Sequence, residues 1–471
     1  MIPTIRTPFA LLAAGALFTS PLFAQQDILE DQSSDPGPLV SWLEGDCLFG
    51  NCAGFRPMLE DKGVEFFGGY TAEVWGDVSG GYERGAVYTG LLDFGVNLDF
   101  EKLVGWQGAS FSTTWLWLSG RDVSEDKVGN FLTVSNIAGF NTLRMLEMWF
   151  QQDFWQRDGG PSGLSIRLGQ LTADSEFIIS DYGATFINGT FGWPAFAYTN
   201  VPAGGPGYPM GAPGVRVAVT PVEWFTYQAA AFEGDVFDQN VNRHGFRYRL
   251  NRKFGYFFIN EAQFRWNQKD DEMGLAGQLK LGAWFHTADF ANAYGDGSTW
   301  GDSSYYAVLD QQLYREPSKE VPAEVTSKDG KSVVASDGKS TAKSFKEPVK
   351  LEKSSQGLGW FGRIAFTPQT QNFVGFYFDT GLVYTGLIPG RDDDALGVAL
   401  GFADLTSGAA QTLFDEGSRK AGYEAVIEVT YDAQITNWLH VQPDLQYIIR
   451  PGGTGDYGNA LVLGGRVSVT F

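Results

Sequence analysis

The stretch LLDFGVNLDF, residues 91–100, carries an apolar side chain at every second position, separated by mostly polar or small residues. A period of two places the two sets on opposite faces of a β-strand. About ten residues are enough for a tilted strand to cross an outer membrane. The stretch therefore predicts a strand with one face toward lipid and the other toward water.

The same alternation recurs along the chain, in residues 146–151, 164–169, 215–219, 261–266, 441–447 and 466–471. A soluble β-sandwich also alternates, but aromatic residues flank these segments as the interface girdles of a membrane barrel do. The chain ends in a strand whose last residue, Phe471, resembles the signal read by the barrel-assembly machinery. We therefore predict an all-β protein, a transmembrane antiparallel β-barrel.

Composition agrees with a barrel. Charged residues make up 19% of the 471 residues, below the ~25% usual in soluble proteins. The mean hydropathy is slightly negative, which excludes a bundle of membrane helices and suits alternating faces that nearly cancel. The net charge of −21 excludes nucleic acid as a partner, because nucleic-acid binding needs a basic surface.

The N-terminus predicts export. Arg6, an apolar core at residues 9–18 and the sequence LFA at 22–24 are typical of a signal peptide, which we assign to residues 1–24. Residues 25–63 form an N-terminal segment with a short helix predicted from Arg56 to Lys62. The barrel is predicted over residues 64–471.

The two cysteines, Cys47 and Cys52, follow soon after the export signal. In an oxidising compartment they are predicted to form a small disulfide loop. A metal pair is the alternative, but no further Cys and no nearby His complete such a site. We expect neither a metal site nor a cofactor.

A Lys-rich insertion at residues 316–356 interrupts the strand pattern; eight of the fifteen lysines lie between Lys319 and Lys353. Its composition predicts a solvated, mobile segment. Counting strands back from the C-terminus places it on the periplasmic side, whereas its length favours the outside, so both sides remain open.

Several stretches resemble the OprB-type carbohydrate-selective porins. The most specific is VQPDLQYIIRPGG at residues 441–453, preceded by AQIT at 433–436. YTGLLD at 88–93, AWFHT at 283–287 and GLIPGRDDD at 386–394 are also similar to that family. The resemblance implies an outer-membrane barrel of sixteen strands, a sugar-permeable pore and a helix near the periplasmic mouth.

A sugar pore needs planar polar groups for hydroxyls and aromatic faces for the apolar side of the ring. The period of two supplies candidates for the lumen; Arg84 precedes a strand and is expected to reach inward from a loop. The predicted pore-lining residues are Glu73, Arg84, Asp93, Asn97, Glu147, Trp149, Arg167, Arg216, Arg265, Asp444 and Arg466. The alternative, that most of these charges only solvate the wall or pair across strands, stays open.

The Gly/Pro-rich residues 202–214 are predicted either to fold into the barrel and narrow it or to form an ordinary extracellular loop. The resemblance implies passive, carbohydrate-selective diffusion of small sugars into the periplasm, without catalysis. The alternatives are a general or anion-tolerant porin, a barrel lipase, and an adhesin built on the insertion. Expected partners are small sugars, outer-membrane lipid and the assembly machinery, in a monomer or trimer.

Overall fold

A computed structural model describes residues 45–50, 54–155, 163–248, 251–269, 272–295, 297–317, 319–322, 349–352 and 354–471. The signal peptide predicted for residues 1–24 lies outside these residues. Cys52 also lies outside them, so its disulfide with Cys47 stays a prediction.

Sixteen antiparallel strands close into a single barrel, which confirms the predicted fold class and strand number. The wall strands are β1 (Val64–Gly81), β2 (Gly85–Asp99), β3 (Ala109–Gly120), β4 (Thr142–Phe154), β5 (Leu164–Leu171), β6 (Ala212–Val222), β7 (Phe225–Glu233), β8 (Tyr256–Trp266), β9 (Gly277–Ala291), β10 (Ser298–Arg315), β13 (Gly357–Phe366), β14 (Val374–Thr385), β15 (Ala395–Leu405), β16 (Tyr423–Thr436), β17 (Leu439–Ile449) and β18 (Gly458–Thr470). First and last strands pair, with Glu73 opposite Arg466.

The two faces of the wall differ as the alternation predicts. Val398, Val429 and Leu445 are neighbours on β15, β16 and β17, and they are 47%, 38% and 37% exposed. Glu428 and Gln446, one position away, are fully buried. Apolar side chains therefore form the outer surface and polar side chains face inward, as in a transmembrane barrel.

The barrel has two different ends. Both described termini lie at one end, which we call the terminal end, because Leu48 N–H donates to Thr470 O and Arg56 Nη1 donates to Phe471 O. The opposite end, the loop end, carries the connections from β3 to β4 and from β5 to β6. Because the wall strands alternate in direction, every second connection between neighbouring wall strands lies at the loop end, starting with the connection between β1 and β2.

Four short α-helices accompany the barrel in the part of the chain that the structure describes: α1 (Phe55–Glu60), α2 (Phe100–Val104), α3 (Ala195–Tyr198) and α4 (Ser407–Asp415). None of the helices in the described residues is long and apolar enough to cross a bilayer. Helix α1 is the predicted N-terminal helix, and it ends two residues earlier than expected. Strand β2 also ends early, because Asp99 Oδ1 accepts the backbone N–H groups of Glu101 and Lys102 and begins α2 there.

The Lys-rich insertion leaves and rejoins the barrel at the terminal end. Its base is a paired stem, β11 (Lys319–Pro322) with β12 (Val349–Glu352), and Glu316 N–H donates to Gln356 O below it. Residues 323–348 lie outside the described part of the chain. The insertion is therefore at the same end of the barrel as the C-terminus, as strand counting predicts, and the side of the membrane that this end faces stays a prediction.

Two loop-end connections, residues 121–141 and 172–211, fold into the barrel; we call them the inner segments. Ile178 N–H donates to Glu261 on β8, and Ile187 N–H donates to Glu428 on β16. One segment can reach strands so far apart around a closed barrel only from the inside. The buried apolar core therefore lies within the lumen, where the inner segments pack against inward side chains of the wall, including Phe361 and Tyr377.

The Gly/Pro-rich stretch is part of the second inner segment. Met210 is buried in the apolar core, and Gly205, Pro206 and Gly207 are buried as well. Strand β6 begins at Ala212, so Pro213 and Gly214 belong to the wall. Of the two predictions for residues 202–214, the inward fold is confirmed for 202–211.

Candidate functional site

The inner segments cover one side of the lumen more than the other. Near mid-strand, inward residues of β8 to β17 are buried beneath them, as Asp310, Asp379 and Glu428 illustrate. Inward residues on β2, β4 and β5 remain half-exposed, as do many near the terminal end. The predicted lumen residues that are half-exposed are Asp93, Asn97, Glu147, Trp149, Arg167, Arg265 and Arg466. The accessible polar wall is thus on the side of the first five strands.

Four predicted residues come together in one group, which we call the β4–β6 cluster and which comprises Glu147, Trp149, Gln151, Arg167, Glu176 and Arg216. The Arg167 guanidinium lies over the Trp149 ring, 3.9 Å from its centroid. Arg167 and Arg216 are paired across β5 and β6, and both donate to Gln151 Oε1 at 2.9 Å. An aromatic face beside fixed hydrogen-bonding groups is an arrangement suited to a sugar ring.

Glu176, on an inner segment, compensates both arginines of this cluster. Its Oε1 lies 2.6 Å from Arg167 Nη1, and its Oε2 lies 2.5 Å from Arg216 Nε. Two guanidinium groups side by side would repel each other without it. The pairing with Glu176 therefore compensates much of the positive charge that the two arginines, taken from the sequence alone, would bring to the lumen.

Glu147 ties the same inner segment to the wall. Its Oε1 accepts the Thr172 backbone N–H at 2.9 Å and the Thr172 hydroxyl at 2.8 Å. Gln228 on β7 donates to the backbone carbonyl of Glu176 at 2.6 Å. The position of the cluster is therefore fixed from both the wall and the inner segment.

A second group, the β1–β18 cluster, contains Glu73, Trp75, Asn136 and Arg466. Arg466 donates from Nε and Nη2 to Glu73 Oε1, at 2.8 and 2.5 Å, and also to Asn136 Oδ1 of the first inner segment. Trp75 Nε1 donates to Glu73 Oε2 at 2.7 Å. Glu73 is fully buried by these contacts, so it holds Arg466 in place and is closed to solutes.

The other predicted residues join neither cluster. Asn97 bonds Glu65 and Ser112 near the terminal end, Arg265 bonds Thr226 and Gln263, and Asp444 is buried beside Gln446. Arg216, which belongs to the β4–β6 cluster, is buried as well, at 5% exposure. Arg84 is exposed in the turn between β1 and β2, and the N–H groups of Tyr82 and Glu83 in that turn donate to Lys127 O of the first inner segment, so the lumen role of Arg84 stays a prediction.

A cavity of about 910 Å³ opens at the loop end, between the two inner segments and residues 237–239. We call it the loop-end cavity. Asn136, Asp174 and Tyr208 line it and also connect it to the clusters below. Asn136 bonds Arg466 of the β1–β18 cluster. Asp174 Oδ2 accepts the Tyr208 N–H at 2.6 Å. Asp174 is two residues along the chain from Thr172, which bonds Glu147 of the β4–β6 cluster.

The sequence reasoning missed the wall residues that hold the inner segments. Arg363 and Asp379 form a buried ion pair at 2.5 Å, and Arg363 also donates to the carbonyl oxygens of Ile178 and Thr190. Glu424 accepts the Leu132 N–H at 2.6 Å. The period of two along β13, β14 and β16 places these three side chains on the inward face, and this pattern could have identified them. The described residues contain no cluster of three or more His, Cys, Asp or Glu placed to hold a metal ion.

A closed barrel of sixteen strands, with an apolar exterior and a lumen lined by charged and aromatic side chains, defines an outer-membrane porin. The model of the carbohydrate-selective porin family, OprB, matches residues 83–471, and the chain belongs to this family. The protein is therefore a bacterial outer-membrane sugar porin, a channel by class.

Two curated relatives agree. The chain is 25% identical to Porin B of Pseudomonas aeruginosa over 496 residues, covering 100% of this chain and 98% of the relative. It is 23% identical to the putative porin QuiX of Acinetobacter baylyi, covering 90% and 93%. The high-pH structure of Pseudomonas putida OprB shares the fold, with a TM-score of 0.72 at 24% identity over 91% of this chain and 99% of that one.

Proposed function

We propose that small sugars diffuse from the loop-end cavity, past Asn136, Asp174 and Tyr208, to the β4–β6 and β1–β18 clusters, and then into the open lumen at the terminal end. The observation that carries this path is that Asn136 of the β1–β18 cluster lines the cavity, as does Asp174, which is two residues from the Thr172 that bonds Glu147 of the β4–β6 cluster. Glu147, Trp149, Arg167 and Arg466 are the pore-lining residues we assign to the narrow region. Asp93, Asn97 and Arg265 line the wider part below.

Sugar selectivity follows from the chemistry of the narrow region. Arg167 covers one face of the Trp149 indole, and the part of this half-exposed ring that stays open offers an apolar surface to the C–H side of a pyranose ring. Neighbouring amide and charged groups can exchange hydrogen bonds with its hydroxyls. The polar groups are already bonded to one another, so binding stays weak and the solute is released, which transport requires.

The pairing of the arginines argues against an anion-tolerant pore. Arg167 and Arg216 share Glu176, Arg466 is bound to Glu73, and Arg363 is bound to Asp379. Each of these four guanidinium groups therefore presents its charge together with a carboxylate, whereas Arg265, nearer the terminal end, bonds the neutral side chains of Thr226 and Gln263. We accordingly favour neutral solutes over anions, and transport without catalytic turnover.

We further propose that the terminal end faces the periplasm and that Phe471 is the residue the barrel-assembly machinery recognises. The C-terminal carbonyl bonds Arg56, and the Phe471 ring stacks on Phe49 at 5.4 Å. Helix α1 and the insertion would then lie on the periplasmic side. We propose a monomer or a trimer, and cross-linking in native membranes distinguishes the two.

Single-channel recording in a planar bilayer tests the function. Glucose added in steps should reduce the potassium chloride current in a saturable manner, because the sugar occupies the narrow region. Polyethylene glycol of similar size serves as the control for simple obstruction. A current that falls equally with both solutes, without saturation, would show a general diffusion pore.

A further inference from the structure

We propose that the loop-end cavity is a sugar-binding subsite at the mouth of the pore, which takes neutral and amino sugars and disfavours sugar acids. This inference rests on the sugar pore proposed above. It concerns a different part of the molecule from the β4–β6 cluster, and it adds a substrate class to the general function.

The size and the aromatic lining of the cavity suit a sugar. Its volume of about 910 Å³ is at the upper end of the 300–1,000 Å³ typical of ligand sites. Tyr198 lines it and is 45% exposed, whereas Trp193 and Phe237 form more deeply buried parts of the wall. The Tyr198 ring is therefore an accessible platform on which a pyranose can stack.

The charged groups of the lining are nearly all acidic. The carboxylates that line the cavity are Asp122, Glu125, Asp126, Asp174 and Asp238, and the one lining base is Arg121. Arg121 is paired with Asp126, so it contributes little free positive charge. Glu125 and Asp238 are exposed to the solution at the rim.

Positive charge is placed deeper, behind the lining. The fully buried guanidinium of Arg144 lies 5.2 Å from the ring centroid of Phe140, a lining residue. Within the described residues, none of its three nitrogens has a hydrogen-bond partner. Burial raises the pKa of Tyr208 well above its usual value, Glu73 raises it further, and Arg466 and Arg144 oppose these effects. The Tyr208 hydroxyl therefore stays neutral and bonds Ile137 O at 2.7 Å.

The acidic rim of the loop-end cavity discriminates between solutes by their charge before they reach the narrow region. A carboxylate-bearing sugar meets negative charge at the rim, while a protonated amine is attracted there. Neutral sugars are unaffected by the rim and can stack on Tyr198. The rim acts across water, so each charge has a modest effect that salt reduces.

The charge claim is tested by the double variant Glu125→Gln/Asp238→Asn. The matched control is Asp415→Asn/Glu416→Gln, which removes two exposed carboxylates at the same end but outside the cavity. Proteoliposome swelling with glucosamine, glucose and glucuronate at low salt gives relative rates. We expect the glucosamine-to-glucuronate ratio to fall about threefold per removed charge in the rim variant and to stay constant in the control.

The stacking claim is tested by Tyr198→Ala, with Tyr294→Ala as control, since Tyr294 is exposed at the loop end outside the cavity. Glucose should block the current of the Tyr198 variant less effectively and that of the control as before. Equal swelling rates for glucosamine and glucuronate in the native protein would overturn the inference while leaving the sugar pore intact. Failure of glucose to pass at all would instead overturn the proposed function, and the potassium chloride reversal potential would still report the rim charge.

Discussion

The wall of the barrel and the inner segments are held together by opposite means. The wall turns apolar side chains outward to lipid and closes through backbone pairing, as the row Val398, Val429 and Leu445 shows. The inner segments have no regular pairing; buried charges of the wall bind their backbone, and apolar packing fills the space between. The repeated alternation of side chains therefore determines the barrel wall, whereas individual contacts of the inner segments determine the shape of the pore opening.

The largest expected effect comes from breaking an anchor of the inner segments. Asp379→Ala leaves Arg363 buried without its carboxylate, which should cost about 3–5 kcal/mol. Limited proteolysis should then cut within residues 172–211 while the barrel stays folded. The control is Asp415→Ala on exposed helix α4, which removes a carboxylate that holds no inner segment and should leave the cleavage pattern unchanged. Resistance of the Asp379 variant to protease would contradict the anchoring role.

The matching change in the wall is Val429→Arg, on the outer face at the middle of β16. A guanidinium in the lipid should destabilise the barrel by ~2–4 kcal/mol near mid-membrane. Urea titration of the protein folded into vesicles measures this loss. Gln411→Arg, on exposed helix α4, is the control and should be neutral. An unchanged Val429→Arg barrel would mean that this face does not meet lipid.

A smaller effect is expected where wall and inner segment meet. Glu176→Gln leaves Arg167 and Arg216 without their shared carboxylate. The ratio of chloride to potassium permeability should rise roughly fivefold, as expected for ~1 kcal/mol from one charge in water. The reversal potential across a salt gradient reports the change, and Glu101→Gln on α2 controls for net charge. No shift would imply that the β4–β6 cluster lies off the ion path.

The smallest effect is a pH dependence of the loop-end cavity. Burial raises the pKa of Asp122 and of Asp174 to about 6. Both carboxylates are therefore mostly charged at pH 7 and mostly neutral at pH 5. Cation preference should fall about twofold as the pH decreases over this range. A preference that grows toward pH 5 would contradict the assignment.

The wall strands and the direction of their side chains could be predicted from the sequence, because a period of two is a local pattern that repeats along the chain. It placed Glu147, Trp149 and Arg167 inward, and the structure brings them together. It could not show that Glu73 and Arg216 would be buried, because the residues that cover them, Asn136 and Glu176, belong to segments without periodicity. The family resemblance supplied sixteen strands and the sugar class, which alternation alone does not contain.

The most direct measurement of the central claim, that sugars pass the β4–β6 cluster, is glucose block of single-channel current in Trp149→Ala. Losing the indole face should raise the glucose concentration that halves the current about fivefold, the equivalent of ~1 kcal/mol of stacking. Trp117→Ala, on the outer face at 56% exposure, should leave that concentration unchanged. An unaltered block in the Trp149 variant would contradict the path.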